Sequence, residues 1–380
     1  MFAAGLVCGA YLTKAPPALP LQRAELGLTL LESGFIATTF NVLGGLAGML
    51  VGILCDRYGH KRLGVLGLAV MAAGGALGAA APGYGVLLVS RFVEGAGFIL
   101  FTVSGAALIA ASVPAGPDRA RAFSLWSSYM PAGGGLALLA APLALAAAGW
   151  RGLWAVLALA ALAGAVLVAR VVPVARYGGV TSLRLAVESL RSPGGIALAL
   201  LFACYVAQWS SVMIWLPTFL VDERGASAGT AALLTALMVL ANVPGNLAGG
   251  WLLARGVARG SLIAAASAVG ALCAAGMLAA LLPDAARFAL VLAFSAVVGV
   301  IPAATFSGVP RHARSPSHIG TTNGMVMQTS QAGQFLGPIL LAWLASRAGA
   351  GWGATLTAML AFAAGAALCG LCIAAIERRR

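Results

Sequence analysis

The chain has 380 residues, of which 61% are hydrophobic and only 9% are charged, and its net charge is +13. A soluble protein of this length has too little interior to bury that much apolar surface, so the composition excludes a soluble enzyme or binding domain. Many apolar stretches run for about 20 residues, the length that a helix needs to cross a bilayer, and they lack the period-two alternation of a β-barrel. We therefore expect an all-α polytopic membrane protein.

Charges, prolines and glycine pairs divide the chain into twelve predicted transmembrane helices. In chain order these spans are 1–20, 31–54, 62–81, 85–111, 120–146, 151–171, 195–221, 228–253, 260–282, 286–309, 319–345 and 351–376. The first span begins at Met1 with no basic leader and no small-residue cleavage site, so we expect a retained helix and not a signal peptide.

The longest interior connection, 172–194, falls near the midpoint and predicts two six-helix bundles, 1–171 and 195–380. Within this central loop, "TSLRLAVESLR" has the pattern of a short amphipathic helix that would lie on the cytoplasmic surface. The second span ends in "GILCDR" and the eighth in "GWLLAR". Similar endings at matching positions indicate that the two halves are repeats, as in many transporters.

The distribution of Lys and Arg predicts the orientation of the chain. Sixteen of the 23 basic residues fall in the loops on the side of both termini, and five fall on the other side. The positive-inside rule therefore places both termini in the cytoplasm, and we expect a multi-pass protein of the bacterial inner membrane. Because the basic residues are spread over short loops, the charge gives no reason to expect a nucleic-acid partner. We expect a monomer in the lipid bilayer, with a small molecule and protons as its partners.

No motif in the sequence predicts a cofactor or a metal. The six cysteines lie in or at the ends of spans, and the "CGLC" at 369–372 has no histidine or second cysteine pair near it. No Gly-x-x-x-x-Gly-Lys-Ser/Thr run is present, so ATP is not expected as the direct energy source. An intramembrane enzyme would need a nucleophile, a metal cluster or an acid pair at membrane depth. Glu94 is the one acid expected well inside a span, which disfavours an enzyme and leaves a non-transporting sensor open.

Two motifs resemble those of the major facilitator superfamily. "GILCDRYGHKR", between the second and third spans, resembles the family's loop signature, and "RFVEGAG" in the fourth span resembles its Arg-x-x-x-Gly pattern. The resemblance implies two six-helix bundles around a central cavity that opens alternately to either side. It also implies a cytoplasmic gate, whose residues would be Gly52, Asp56, Arg57, Gly59, Lys61 and Arg62.

The chain departs from the family pattern in two places. Ala254 stands in the second half where Asp56 stands in the first, which predicts a weaker second latch. The fifth span does not closely match the Gly-Pro-centred motif typical of family drug/proton antiporters, which disfavours multidrug efflux. The eighth and eleventh spans resemble those of the branch that includes cyanate and nitroimidazole transporters.

Charged residues inside the spans are the first candidates for function, because a charge near the bilayer centre is costly. Arg91 and Glu94 are three residues apart on one helix face, and they form either a structural ion pair or a proton-coupling pair with Glu94 as the carrier. Lys14 follows Tyr11 by three residues and has no acid on its own helix, although Glu32 is in reach on the next. It either binds an anionic substrate or extends to the outer surface.

Polar and aromatic residues near the helix midpoints are further candidates. They would either orient a substrate or hold neighbouring helices together. With Tyr11 and Lys14, the substrate-binding candidates are Trp126, Tyr129, Gln208, Trp209, Asn242, Asn246, Gln328 and Gln331. The sequence therefore predicts a secondary active transporter that is proton-coupled and prefers a small organic or inorganic anion. Efflux of drug-like or aromatic compounds by proton antiport is the alternative.

Overall fold

The computed structural model describes residues 1–112, 126, 129–173, 187–279, 281–315, 318–347 and 351–379, and this part of the chain is helical with no strand. In the first half the helices are α1 (Phe2–Thr13), α2 (Ala15–Leu26), α3 (Leu30–Thr38), α4 (Val42–Tyr58), α5 (His60–Ala79), α6 (Tyr84–Ser112) and α7 (Tyr129–Val171). In the second half they are α8 (Pro193–Arg224), α9 (Ala228–Ala254), α10 (Arg259–Leu278), α11 (Asp284–Val298), α12 (Val300–His312), α13 (Ile319–Ala345) and α14 (Thr355–Arg378). Short 3₁₀ turns lie at Thr39–Asn41 and Trp352–Ala354.

Nine helices within the described ranges are long and apolar enough to cross a membrane. The difference from the twelve predicted spans has three physical sources. The helix α7 holds two predicted spans that meet at Gly149, whose φ of 64° interrupts the helical backbone. The first span is split into α1 and α2, each only 12 residues long. The helix α13 is long enough but carries many Thr, Ser, Asn and Gln side chains.

The break between α1 and α2 lies at Lys14. Pro16 and Pro17 follow it directly at the start of α2. A proline has no backbone N–H, so the carbonyl groups of Leu12 and Thr13 lose their usual α-helical donors and the helix cannot continue unbroken. The second piece extends to Leu26, six residues past the predicted end of the first span, and the left-handed residue Gly27 (φ 66°) then terminates it.

The charged run "GILCDRYGHKR" forms a tight turn between two helices. α4 ends at Tyr58, α5 begins at His60, and Gly59 between them has a φ of 94°, a conformation that favours glycine. Arg57 is exposed beside the ring of Tyr58, at 5.4 Å. The side chains of Gly52 and Asp56 lie outside what the structure describes, so the predicted gate stays a prediction.

The chain divides into two compact units, the first comprising Met1–Ser182 and Leu216–Ala236, and the second Leu183–Trp215 and Leu237–Arg380. In the first unit α5 packs against α6 and α7, and α1 also packs against α7. In the second unit α10 packs against α14 and α11. Most of the predicted amphipathic helix falls in 174–186, outside the described residues, and the predicted bundle boundaries at 171 and 195 remain predictions.

Candidate functional site

Three charged side chains meet inside the first unit. The Nζ of Lys14 lies 2.7 Å from Oε1 of Glu94, and Nη1 of Arg91 lies 2.5 Å from Oε2 of the same carboxylate. None of the three side chains is accessible to solvent. One carboxylate is therefore shared by two cations, and this buried triad of Lys14, Arg91 and Glu94 has a surplus of one positive charge when all three groups are ionised.

The helix α6 supplies two members of the triad because Arg91 and Glu94 are separated by one turn. Its close approach to the chain at Phe40 depends on Gly95, where a Cβ atom would lie 1.9 Å from the Phe40 carbonyl oxygen. Glycine is therefore required four residues after Arg91, which gives the Arg-x-x-x-Gly pattern a packing reason. Lys14 enters from the break between α1 and α2.

The guanidinium of Arg91 is held by two backbone carbonyl groups as well as by Glu94. Its Nε donates to the Ile36 carbonyl at 3.1 Å, and its Nη1 also donates to the Tyr11 carbonyl at 3.3 Å. The remaining nitrogen, Nη2, is buried with no hydrogen-bond partner in the described part of the chain. A buried donor without a partner is unfavourable, so this edge of the guanidinium has capacity for another acceptor.

Aromatic rings surround the two cations. The Nζ of Lys14 lies 4.0 Å from the ring centre of Tyr11 and 4.3 Å from that of Trp154. The guanidinium carbon of Arg91 lies 4.7 Å from the ring centre of Phe40. Ring faces attract cations, and this attraction partly replaces the water that the ammonium and guanidinium groups have lost.

The structure corrects the expected surroundings of Lys14, while anion binding by this residue stays a prediction. Lys14 binds Glu94, on a helix 80 residues further along the chain, and it does not extend to the outer surface because it is fully buried. Glu32 instead caps α3, where its carboxylate accepts hydrogen bonds from the backbone and side chain of Thr29. The pairing of Arg91 with Glu94 is confirmed, while proton coupling and substrate binding by these residues stay predictions.

The other candidates in the first unit are aromatic and lie in its core. The rings of Trp126 and Tyr129 are 4.4 Å apart, and both residues belong to the same buried cluster as Tyr11 and Phe101. The hydroxyl of Tyr11 donates to the Met71 carbonyl at 3.1 Å. Their described contacts are thus those of packed interior side chains, and a role in substrate binding remains a prediction.

A polar network centred on Ser295 connects the candidates of the second unit. Trp209 donates to the Ser295 hydroxyl at 3.0 Å, and Asn242 donates to the Ser295 carbonyl at 2.9 Å. Asn246 donates to the Asn242 side-chain oxygen at 2.8 Å, and the hydroxyl of Tyr205 lies 3.4 Å from the same oxygen. These bonds join α8, α9 and α11, which is the interhelical role that amides often have in membranes.

The glutamines of the second unit differ in their surroundings. Gln208 on α8 donates to the Met359 carbonyl on α14 at 2.9 Å and so links two helices. The Oε1 atom of Gln331 is buried without a hydrogen-bond partner among the described residues. Gln328, one turn earlier on α13, is part-exposed.

A separate, partly exposed cluster lies at the end of α2. The carboxylate of Glu25 accepts a hydrogen bond from the Trp150 indole at 2.6 Å and pairs with Arg151. These hydrogen bonds, from Trp150 first and then from Arg151, hold the pKa of the Glu25 carboxyl below its usual value of 4.5. Glu25 therefore offers a surface comparison for Glu94. Across the described ranges, no three His, Cys, Asp or Glu side chains lie together in a way that could hold a metal ion.

Two residues of these sites, Trp154 and Ser295, were not predicted from the sequence. Trp154 contacts Lys14, and the fact that it follows Trp150 by one helical turn within an apolar span was the available signal. Ser295 is the centre of the second network, and it was visible as a polar residue in the middle of an apolar span, "LVLAFSAVVGV".

The helices and the buried triad define a polytopic membrane protein with ionisable groups inside its helical bundle. The chain belongs to the Major Facilitator Superfamily, whose family model matches residues 1–338. It superimposes with a TM-score of 0.79 on a bacterial homolog of the human lysosomal transporter Spinster, at 16% identity and covering 99% of this chain and 96% of that one. This likeness confirms the predicted all-α fold of twelve helices in two bundles.

Sequence relatives match over shorter stretches. The methylenomycin A resistance protein of Bacillus subtilis is 35% identical over 128 residues, which is 34% of this chain and 26% of that protein. The probable 4-methylmuconolactone transporter of Cupriavidus pinatubonensis is 27% identical over 244 residues, which is 60% of this chain and 55% of that protein. The chain thus matches about a quarter and about half of the length of these relatives.

Proposed function

We propose that the chain is a secondary active transporter that moves a small organic or inorganic anion together with protons. The observation that carries the proposal is the buried triad, in which Lys14 and Arg91 share the single carboxylate of Glu94. Buried ionised groups inside a membrane protein are costly and typically mark the path of a substrate or a proton. A surplus positive charge in such a place favours a negatively charged ligand.

The chemistry of the triad supports an anion over a cation. Among the described residues, the Nη2 donor of Arg91 has no hydrogen-bond partner, and Lys14 donates to only one carboxylate oxygen. A carboxylate or sulfonate would accept from both groups and would remove the net charge of the site. A cationic ligand would meet two like charges at this place, and their repulsion is strong in a medium of low dielectric constant.

The relatives support transport of small organic molecules, and their names point to two different substrate classes. Similarity to the probable 4-methylmuconolactone transporter supports a metabolite as the substrate. Similarity to the methylenomycin A resistance protein supports an antibiotic-like compound as the substrate. In that alternative, the chain would export the compound by proton antiport. The two proposals differ in the charge of the ligand that the triad would accept and in the direction of flux.

A thermal-shift screen of the purified protein tests the proposed substrate class. Small carboxylates and sulfonates are compared with their neutral amide analogues and with cationic drug-like compounds. A ligand that binds the folded state at 100 times its dissociation constant stabilises it by about 2.7 kcal/mol. We expect an anion to raise the melting temperature, its amide analogue to have no effect, and the Lys14→Met variant to lose the response. Stabilisation by neutral or cationic compounds alone would support the export alternative.

A further inference from the structure

We infer that Lys14, and not Glu94, is the group of the buried triad that releases and rebinds a proton. This inference rests on the proposed function, because it assigns the proton-coupling step of that transporter to one side chain. It differs from the sequence-based expectation, in which Glu94 carries the proton.

The net charge of the triad after each protonation step distinguishes Lys14 from Glu94 as the proton carrier. With all three groups ionised the triad carries +1. Protonation of Glu94 would remove the only negative charge and leave two cations, Lys14 and Arg91, facing each other in a fully buried place. Loss of a proton from Lys14 leaves Arg91 and Glu94, which form a neutral pair. The guanidinium of Arg91 keeps its charge in proteins, so Lys14 is the group whose change brings the site to neutrality.

The hydrogen bonds of the Glu94 carboxylate also favour Lys14 as the proton carrier. Each oxygen of the Glu94 carboxylate already accepts a bond from a cation, at 2.7 Å from Lys14 and 2.5 Å from Arg91. If either oxygen were protonated, its O–H group would face an N–H donor of Lys14 or Arg91, and one of these two hydrogen bonds would be lost. A neutral Lys14 amine still has N–H groups, so it continues to donate to Oε1 of Glu94. Loss of a proton from Lys14 therefore leaves the contacts of the triad intact.

The described groups that face Lys14 come from α1, α6 and α7. From α1 and α7 it meets the rings of Tyr11 and Trp154, and from α6 it meets Glu94, which also binds Arg91. The Tyr11 hydroxyl donates to the Met71 carbonyl, and the nearby thiol of Cys8 points to the Met71 sulfur at 3.8 Å. Glu94 is the one carboxylate that pairs with Lys14 among the described contacts.

The step is a simple proton transfer with a defined charge balance. The N–H bond of the Lys14 ammonium breaks, the electron pair stays on Nζ, and the proton passes to water on the side to which the site is open. When a monoanion binds beside the triad, a protonated Lys14 again gives a neutral site. The two neutral states are therefore the empty site with Lys14 deprotonated and the occupied site with Lys14 protonated, which predicts one proton carried with each monoanion.

The sequence offers a direct measurement, because only two of its 23 basic residues are lysines, Lys14 and Lys61. The full-length protein in detergent micelles, grown with ¹³Cε-labelled lysine, should give two side-chain NMR signals. The Lys61→Arg variant leaves the Lys14 signal alone, and the loss of a signal in Lys14→Arg confirms the assignment. An ordinary lysine stays an ammonium from pH 5 to 9, because its pKa is about 10.4.

We expect the Lys14 signal to move from the ammonium to the amine position between pH 5 and 9. The inference is overturned if the signal keeps one position throughout this range, or if the Glu94 carboxyl carbon titrates there in glutamate-labelled protein. The Lys14→Arg variant adds a transport test, since arginine keeps the cation but does not release it. It should still be stabilised by the anion that stabilises the wild type, while accumulation driven by a pH gradient falls at least tenfold.

These outcomes separate the inference from the proposed function. If Lys14 titrates but no anion stabilises the wild-type protein, the proposed substrate class is wrong and the protonation site stands. If anions stabilise the wild type and are accumulated by it, while Lys14→Arg accumulates them equally well, the function stands and Lys14 is not the proton carrier.

Discussion

At the scale of single residues, the stability lost on substituting a member of the triad depends on which charges remain buried there. Glu94→Gln leaves the buried guanidinium of Arg91 without an anion, and breaking a buried ion pair in this way typically costs about 3–5 kcal/mol. Lys14→Met leaves the neutral pair of Arg91 and Glu94 and should cost clearly less. Thermal and chemical unfolding in detergent measure both values. Equal losses from the two variants would contradict the charge count in the triad.

The Glu25 cluster provides the matched control for these substitutions. Its ion pair with Arg151 is partly exposed, so Glu25→Gln should lower the free energy of unfolding by about 1 kcal/mol or less. The folded state holds the Glu25 pKa below 4.5, so this small contribution is present above that value and is lost as the pH falls below it. The difference between wild type and Glu25→Gln should therefore be seen at pH 7 and become smaller as the pH falls below 4.5. A difference that grows on acidification would show that another group dominates.

The sequence predicted the Arg91–Glu94 pair because helical periodicity alone brings residues three apart onto one face. It did not predict the Lys14–Glu94 pair, whose members are separated by 80 residues, because that contact depends on how α1 and α6 pack. The same limit applies to Trp154 and Ser295, whose partners lie on other helices. Residue types at membrane depth were therefore identifiable from sequence, while most of their partners were not.

At the scale of helices, single glycines allow close approach at two corresponding places. A Cβ atom at Gly95 on α6 would lie 1.9 Å from the Phe40 carbonyl oxygen, and one at Gly245 on α9 would lie 1.9 Å from the Ala296 carbonyl oxygen. Backbone atoms cannot turn aside as a flexible side chain can. The Arg-x-x-x-Gly pattern that contains Gly95 was visible in the sequence, but the contact with Phe40 that requires this glycine was not.

We expect Gly95→Ala and Gly245→Ala each to lower the free energy of unfolding by about 1–3 kcal/mol, the usual effect of overpacking. Gly85 on α6 and Gly250 on α9 are the matched controls, because a Cβ atom at either position would meet no neighbouring atom within 4 Å. Alanine there should be neutral or stabilising by up to about 1 kcal/mol, because alanine is the better helix former. The test compares the free energies of unfolding of the four variants with that of the wild type. Equal changes at all four sites would contradict the role of close packing at Gly95 and Gly245.

The helices also show which boundaries a sequence can predict. The turn at Gly59 was expected from its charges, and the structure has it between α4 and α5. The split of the first span at Lys14 was not predicted, although Pro16 and Pro17 give the physical reason. Apolar length alone predicts that a segment crosses the bilayer, whereas the position of a break inside it depends on which backbone donors are missing.

At the scale of the whole molecule, the basic residues predict the orientation in the membrane. Sixteen basic residues lie in the predicted loops on the side of both termini and five lie on the other side, which predicts that both termini are cytoplasmic. A green fluorescent protein fused after Arg380 should therefore fluoresce, and alkaline phosphatase fused at the same place should be inactive. An active phosphatase fusion together with a non-fluorescent fluorescent-protein fusion would contradict the predicted orientation. A phosphatase fusion after Arg224, in a predicted outer loop, is the control that should be active.

The fold of the whole chain was predictable because composition, span number and two short motifs all agree with one family. The substrate was not predictable, because the triad indicates the charge of a ligand but not its shape. The charge balance of the triad nevertheless makes a prediction for the whole molecule, since anion and proton must move together if each neutral state is to be reached.

Proton movement during anion transport is the most direct test of this account. Proteoliposomes holding a pH-sensitive dye are given a panel of carboxylates and sulfonates, with empty liposomes as the control for weak acids that cross lipid unaided. We predict that at least one anion acidifies the lumen as it enters through the wild-type protein, and that the Lys14→Arg variant gives no such signal. Anion entry without a change in lumenal pH, or transport of neutral or cationic compounds only, would contradict it.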